Sequence, residues 1–150
     1  MELHIVSANT KYPSVSTALE HPDGLAVLGF WFQISGTNNT ALDPIISNLR
    51  HVRDPGTQVD LDPLTLESIL PRDLHVFYRY TGSLTTPGCQ EVVTWTVFRS
   101  VIQISERQMQ EFRSLRYKQK TSDGDTLDMV DNYRPVQCLW GRKVAEYSSP

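Results

Sequence analysis

Long apolar runs are missing from this sequence. The longest lies at residues 25–32 and is interrupted by Gly29, whereas a membrane-spanning helix needs about 18 or more apolar residues in succession. We therefore expect no membrane span. Met1 leads directly into strand-like sequence without a basic segment, so we expect no signal peptide and a cytoplasmic location if the chain is expressed as given.

Cysteine and positive charge are both scarce. The two cysteines, Cys89 and Cys138, are far apart in sequence, and neither belongs to a C-x-x-C pair, so a thiolate zinc site is not expected. The 14 Lys and Arg are outnumbered by 17 Asp and Glu, which gives a formal net charge of −3. The charges are scattered without a basic cluster, which argues against a nucleic-acid partner.

The composition that is present is typical of one soluble globular domain. The chain has 150 residues, of which 39% are hydrophobic and 21% charged. Residues 25–34 are apolar except for Gln33, as in a strand that is covered on both faces. Strand-like patterns of apolar residues occur at residues 2–6, 25–34, 76–80 and 91–98.

Helical spacing of apolar residues occurs in three places. Residues 42–49 contain an early Asp43-Pro44 pair, and a second helix is predicted to open at Asp62-Pro63 and to end at Pro71. Ser105 and Gln108 form a capping box, which predicts a helix whose apolar stripe is Met109, Phe112 and Leu115. Residues 118–128 are polar and loop-like. Together these features predict one α+β unit dominated by its sheet.

His4 and Glu2 lie on the same face of the first predicted strand. Zinc binds a neutral imidazole, and a carboxylate on the other ring nitrogen fixes the tautomer and orientation of that ring. Glu-x-His on a strand can therefore supply a metal ligand and its orienting partner. A lone histidine in a strand is more often a hydrogen-bonded structural residue.

Thr85 and Thr86 lie in a turn between Leu84 and Pro87, directly before a strand-like run. A threonine hydroxyl can accept a hydrogen bond from a metal-bound hydroxide and orient its lone pair toward a substrate. The alternative is a turn whose hydroxyls satisfy their own backbone.

Apolar residues near these motifs are candidates for a pocket that takes a small neutral molecule, with ordinary core as the alternative: Val6, Val27, Leu84 and Trp95. The other histidines, His21, His51 and His75, are expected to be structural or solvent-facing. Asn38 begins an Asn-x-Thr glycosylation acceptor pattern.

Four blocks in order resemble the α-class carbonic anhydrases: ELHIV at residues 2–6, DGLAVLG at 23–29, GSLTTP at 82–87 with VTW at 93–95, and DNYRP at 131–135. The similarity runs from residue 1 to about residue 144. It implies a partial carbonic anhydrase fold, with a large mixed, mainly antiparallel β-sheet and short peripheral helices. It also implies hydration of CO2 to bicarbonate at a Zn²⁺ held by three histidines.

The resemblance assigns a role to each matching position. His4 matches the third zinc ligand, and Glu2 matches the carboxylate that orients it. Thr85 matches the hydroxyl beside the zinc-bound hydroxide, and Thr86 matches its neighbour in the bicarbonate site. The wall on which CO2 rests is matched by Val6, Val27, Leu84 and Trp95. Structural polar positions are matched by Glu91 and Arg134.

One part of the family's pattern has no counterpart. The first two zinc histidines of the family form a His-x-His pair on an upstream strand, and no His-x-His pair occurs here. The resemblance therefore implies that residues 1–150 are the C-terminal portion of a single domain. We expect the intact protein to be a carbonic anhydrase and this chain alone to be inactive, without tightly held zinc. The alternative is an inert carbonic-anhydrase-related domain that acts in protein recognition.

Cys89 resembles the extracellular branch of the family, where its equivalent pairs with a cysteine near the N-terminus. That partner is absent, so Cys89 is expected to be a free thiol and Cys138 a small core residue. Together with Asn38, Cys89 favours a secreted parent protein. We expect CO2 and bicarbonate as small-molecule partners and leave the oligomeric state open. An unpaired edge along residues 2–6 predicts marginal stability or aggregation.

Overall fold

The computed structural model describes residues 1–148, and residues 149 and 150 of the predicted domain lie outside the described residues. The chain divides into two compact units. The first contains Met1–Phe32, Pro71–Val101 and the residues from Tyr133 onward, and the second contains Gln33–Leu70 and Ile102–Asn132.

Strands and short helices alternate along the described residues. The strands are β1 (Glu2–Ala8), β2 (Leu25–Ser35), β3 (Val76–Gly82), β4 (Val93–Phe98), β5 (Ile102–Ser105), β6 (Arg116–Lys120), β7 (Thr126–Asp128) and β8 (Ala145–Ser148). The helices are α1 (Val15–Ala18), α2 (Asp43–Leu49), α3 (Leu66–Ile69) and α4 (Glu106–Arg113), and a 3₁₀ turn covers Thr40–Leu42.

The first unit is built on a sheet in the order β1-β2-β4-β3-β8. The β2–β4 pairing is parallel, and the β1–β2, β3–β4 and β3–β8 pairings are antiparallel. The predicted fold class, a mixed and mostly antiparallel sheet with short helices, is confirmed. Among the described residues, β1 and β8 are the two ends of this order, so the expected open edge lies along β1.

Apolar side chains cover both faces of this sheet near its centre. On one face Phe30 of β2 stacks on Phe98 of β4, with ring centroids 4.8 Å apart. On the other face a buried cluster is formed by Ala18, Leu25, Val27, Val92, Val93 and Trp95. The prediction that all of β2 is covered was wrong at its C-terminal half, since Trp31 and Ile34 are about half exposed (50% and 47%).

The second unit contains the predicted capping box. Ser105 Oγ accepts the Gln108 backbone N–H (3.1 Å), and Gln108 Oε1 accepts the Ser105 N–H (3.2 Å). Two orphan donors at the start of α4 are thereby satisfied. Gln108 Nε2 also donates to the Asn39 carbonyl (2.9 Å). β5 pairs with β2, whose last residues, 33–35, belong to this unit.

Two predictions in the second unit need correction. Helix α3 begins at Leu66 rather than at Asp62-Pro63, and Thr65 is its N-cap. Residues 118–128 are not a loop, because β6 and β7 pair antiparallel. Gly124 adopts a φ of 87° in the turn between them, and the Thr121 N–H donates to the Asp125 carbonyl (3.0 Å). A polar hairpin has no apolar alternation, so the pattern did not reveal it.

Cys138 was predicted to lie in the core and is instead exposed. It belongs to residues 132–139, which form neither helix nor strand and whose side chains are exposed except for Arg134. Because this segment forms no strand or helix that packs against the core, the Cys138 side chain remains at the surface. Cys89 is half-buried, and both thiols are free.

Candidate functional site

The register of the sheet brings the sequence-predicted histidine strand onto the face that carries Trp95. In the β1–β2 pairing, Glu2 lies opposite Trp31 and His4 lies opposite Gly29. Trp95 of β4 lies opposite Tyr80 of β3. Gly29 of β2 in turn lies opposite Val97 of β4, two residues after Trp95. Residues directly opposite each other, and alternate residues along one strand, project to the same face of a sheet, so these side chains share one surface.

His4 and Glu2 are in direct contact. Nε2 of His4 lies 3.2 Å from a carboxylate oxygen of Glu2, and the two side chains are 24% and 37% exposed. A neutral imidazole carries its proton on one nitrogen and a lone pair on the other. A carboxylate that accepts a proton from Nε2 would leave the lone pair of Nδ1 available to a metal ion.

Gly29 of β2 lies between the rings of His4 and Trp95. The His4 ring packs edge-on against the Trp95 ring across this strand, with centroids 4.7 Å apart and an interplanar angle of 72°. A Cβ at position 29 would lie 3.4 Å from Val97 Cγ2 and 3.5 Å from the Trp95 ring, which is ordinary van der Waals contact. The contact between a histidine of β1 and a tryptophan of β4 therefore does not require a glycine here.

A cavity of about 80 Å³ opens beside these rings. It joins the histidine strand to the threonine turn, the two motifs that sequence reasoning had singled out separately. Its lining consists of Glu2, His4, Gly29, Phe30, Trp31, Tyr80, Thr85, Trp95 and Val97.

Thr85 and Thr86 occupy different positions in their turn. Both are exposed, but Thr85 lines the cavity and Thr86 is absent from its lining. The Thr86 carbonyl accepts the Cys89 backbone N–H (3.0 Å). Gly88 and Cys89 have positive φ values of 101° and 45°, which turn the chain back toward β4.

The turn is attached to the sheet at Ser83 and Leu84. The Trp95 indole Nε1 donates to the Ser83 carbonyl (3.0 Å), and the Leu84 N–H donates to the Gln90 carbonyl (3.0 Å). Trp95 thus contacts His4 with its ring and the threonine turn with its N–H. The same side chain connects the two halves of the site.

The four residues predicted to form an apolar wall lie in different surroundings. Trp95 lines the cavity. Val27 is buried in the core cluster, and Leu84 packs against that cluster. Val6 lies opposite Val27 and is 56% exposed. Val6, Val27 and Leu84 are outside the lining of this cavity.

Tyr80 is a member of the site that sequence reasoning missed. Its ring stacks on Trp95, with centroids 6.4 Å apart and planes 12° from parallel. Burial raises the pKa of the Tyr80 phenol, Arg142 opposes that rise, and the Glu2 carboxylate adds to it. The sequence placed Tyr80 in a predicted strand but did not indicate its neighbours. The β3–β4 register shows that it lies opposite Trp95.

The donor set fits one position of a zinc site. Within residues 1–148, no group of three or more His, Cys, Asp or Glu side chains could hold a metal ion. His4 has the arrangement that zinc-binding histidines show, with a carboxylate on the far nitrogen. A structural or catalytic zinc site needs at least three protein ligands, so His4 alone cannot form one.

The remaining candidates lie away from the cavity lining. His21 stacks on Tyr12 at 4.2 Å, and His51 and His75 are exposed. Glu91 is exposed. Arg134 donates to the Ser83 hydroxyl (2.5 Å). None of the helices in the described part of the chain is long and apolar enough to cross a membrane.

Asn38 lies in the second unit. Its side chain is exposed, and its Oδ1 accepts a hydrogen bond from Ser105 Oγ (2.7 Å). The amide nitrogen, which is the atom that glycosylation would modify, makes no hydrogen bond to the described residues.

Comparisons with known proteins show which protein family this chain is similar to. Residues 1–148 match the family model for eukaryotic-type carbonic anhydrase. The chain is similar to carbonic anhydrase 15 of Mus musculus, with 38% identity over 149 residues that cover 97% of this chain and 45% of the relative. It is 40% identical to carbonic anhydrase 12 of Homo sapiens over 137 residues, 91% of this chain and 38% of the relative.

A third relative is carbonic anhydrase 7 of Mus musculus, 41% identical over 144 residues, which cover 95% of this chain and 53% of the relative. The chain therefore spans about half or less of the length of these three relatives.

Proposed function

Since this chain belongs to the eukaryotic-type carbonic anhydrase family, we propose that residues 1–150 are the C-terminal portion of a single carbonic anhydrase domain. The intact protein catalyses the hydration of CO2 to bicarbonate and a proton. The observation that carries this proposal is the cavity shared by Glu2, His4 and Thr85. Separate motifs on β1 and in the turn after β3 come together there.

His4 is the metal ligand in this proposal. Its Nε2 lies 3.2 Å from a carboxylate oxygen of Glu2, so Nδ1 would be the atom that holds the metal while the carboxylate fixes the ring orientation. When bound, Zn²⁺ would lower the pKa of a water molecule to about 7, which makes hydroxide available near neutral pH. Glu2 would hold the His4 ring in the orientation that such a site requires.

Thr85 lines the same cavity. In the intact site its hydroxyl would accept a hydrogen bond from the attacking oxygen and would orient a lone pair of that oxygen toward CO2. Thr86 is its neighbour at the bicarbonate position. Trp95, Leu84, Val27 and Val6 form the apolar side of the intact site, which favours a small neutral substrate over water.

The other two zinc ligands would come from a further strand that pairs with the open edge of β1. The Phe32 N–H donates to the Met1 carbonyl and the Asn9 N–H to the Gly24 carbonyl. In an antiparallel ladder, residues bonded to the partner alternate with residues whose backbone points away. The N–H and C=O groups of Glu2, His4 and Val6 therefore point to the open edge. A strand that pairs there with a His-x-His sequence brings two more imidazoles beside His4.

The isolated chain is inactive and holds no stoichiometric zinc, because a single imidazole does not make a three-histidine site. The intact protein is secreted or exposed at the cell surface. Support for that location comes from Cys89, which matches the extracellular branch, and from the exposed acceptor pattern at Asn38.

Zinc content and CO2 hydration test the proposal in two preparations. The isolated 150-residue chain, after dialysis, is expected to contain far less than one zinc per chain and to hydrate CO2 at the background rate in a stopped-flow pH-indicator assay. The protein from the longest reading frame that contains these residues is expected to bind one zinc and to be active. His4→Ala abolishes both properties there, and His75→Ala, which alters an exposed histidine, leaves them unchanged.

Two results would contradict the proposal. One tightly held zinc in the isolated chain would show that its residues suffice for a site. A longer protein whose preceding strand lacks His-x-His, and which neither binds zinc nor hydrates CO2, would instead identify a recognition domain of the same family.

A further inference from the structure

The C-terminal segment, residues 133–144, is held to the first unit in an unusual way. It contains no helix or strand, and its apolar side chains point to solvent, with Tyr133 70%, Val136 100% and Trp140 88% exposed. Within this segment, Arg134 and Arg142 are the two residues that are not exposed. Hydrophobic burial therefore does not explain why the segment lies where it does.

Both arginines donate hydrogen bonds to the end of β3 and the turn that follows it. Arg134 Nη1 donates to Ser83 Oγ (2.5 Å), and Arg142 Nη1 donates to the Thr81 carbonyl (3.1 Å). Arg142 also donates to the Leu139 and Cys138 carbonyls of its own segment, which fixes the turn that presents it. Arg134 makes the contact that lies nearest to the threonines.

Ser83 is held from two sides. Its hydroxyl is bound by Arg134, and its carbonyl is bound by the Trp95 indole (3.0 Å). Thr85 follows two residues later, on a turn whose threonines are exposed. Because these threonines are exposed, the position of Thr85 depends on how firmly the start of the turn is fixed at Ser83.

We propose that Arg134 is a positioning residue that holds Ser83, and through it Thr85, at the cavity shared with His4. This inference rests on the proposed function and extends it, because it assigns the orientation of the Thr85 hydroxyl to a residue 49 positions further along the chain. The bond has a charged donor and is partly buried, and hydrogen bonds of that kind are stronger than neutral ones.

Hydrogen exchange of the 150-residue chain tests this without metal or substrate. Arg134→Gln and Ser83→Ala are each expected to speed exchange of the Leu84 and Cys89 amides and of the Trp95 indole N–H by about tenfold, the factor that corresponds to one hydrogen bond from a charged donor. The double variant is expected to show no further increase, because both changes remove the same contact. Lys143→Gln is the matched control, since it removes an exposed positive charge from the same segment.

The conservative variant separates positioning from folding. Arg134→Lys keeps a charged donor for Ser83 Oγ and is expected to restore most of the protection of the turn and the ¹H–¹⁵N resonance position of Thr85. Amides of β2 and β4 should exchange at the same rate in every variant. The inference is overturned if the turn amides are unchanged in Arg134→Gln and Ser83→Ala, or if amides of β2 and β4 accelerate equally. Neither result depends on zinc or on CO2 hydration, so it would leave the proposed function standing.

Discussion

The imidazole of His4 packs edge-on against the indole of Trp95, with ring centroids 4.7 Å apart. The same indole donates its N–H to the Ser83 carbonyl at the start of the threonine turn. One side chain of β4 therefore sets the distance between the histidine strand and the hydroxyl-bearing turn. The predictions below concern this contact and the groups that surround it.

Glu2 is expected to determine the tautomer of His4. Because a Glu2 carboxylate oxygen lies 3.2 Å from Nε2 and can accept a proton from it, neutral His4 should favour the Nε2–H form. Imidazole ¹⁵N chemical shifts at a pH where histidine is neutral measure this directly. Glu2→Ala should shift His4 toward the mixture shown by exposed His75. A His4 tautomer that does not respond to Glu2→Ala would remove the basis for binding metal through Nδ1.

Gly82→Ala is expected to disturb the packing of Tyr80 against Trp95. The added methyl group would lie 3.1 Å from the rings of both residues, and overpacking of this kind costs about 1–3 kcal/mol. Denaturant unfolding should show the loss. Gly29→Ala is the control, because a Cβ there would lie 3.4–3.5 Å from Val97 and the Trp95 ring, which is ordinary van der Waals contact. Equal effects of the two substitutions would contradict the packing role of Gly82.

Tyr80 is expected to ionise above its ordinary pKa of about 10. Burial is the main cause, Arg142 opposes the rise, and Glu2 adds to it. Glu2→Gln should therefore lower the pKa of Tyr80 toward its ordinary value, and Arg142→Gln should raise it further. Absorbance titration of the phenolate, with Tyr80→Phe to assign the signal, measures these shifts. A Tyr80 pKa that is insensitive to both substitutions would contradict the placement of these three groups.

The raised pKa of Tyr80 also predicts the sign of a pH effect on stability. The unfolded chain releases this proton near pH 10, whereas the folded chain retains it to higher pH. The contribution to the free energy of unfolding is complete below the unfolded pKa and is lost as pH rises through the folded pKa. Tyr80→Phe should remove this part of the alkaline destabilisation, and Tyr133→Phe, which alters a 70% exposed ring, should not.

Val6→Lys is expected to reduce self-association of the isolated chain. Val6 is 56% exposed on a strand whose backbone N–H and C=O groups face an open edge, and charged residues on such edges hinder strand pairing between molecules. Light scattering during incubation should show slower aggregation, with an unchanged unfolding midpoint. Val15→Lys is the control, because Val15 is 59% exposed but lies on α1. If Val15→Lys protected equally well, general charge rather than the β1 edge would be responsible.

The parts of the fold that could be predicted from the sequence are those with local physical causes. The capping box of Ser105 and Gln108 is set by residues three apart, and the strand at residues 2–6 is set by alternation along one short segment. The β6–β7 hairpin was missed because its side chains are polar on both faces. The prediction for Cys138 was wrong because a small apolar side chain does not indicate whether its segment packs against the core.

The candidate site shows the same division. His4, Glu2 and Thr85 could be singled out from residue chemistry together with a resemblance to a family, and the structure lines one cavity with all three. Tyr80 could not, because its importance depends on which residues of β3 and β4 lie opposite one another. The contact of Arg134 with Ser83 joins residues far apart in the chain, and no local pattern predicts such a pairing.

The sequence by itself determined that this chain forms strands and short helices in a given order, which side chains alternate along each strand, and which family it resembles. Those properties depend on neighbouring residues and on composition. Only the tertiary structure decided that a histidine of β1, a tryptophan of β4 and a threonine turn meet, because register and strand order are set by packing of residues that are distant in the chain. A cavity exists only where several strands supply its walls together, and for that reason the chemistry of this site depends on the whole sheet.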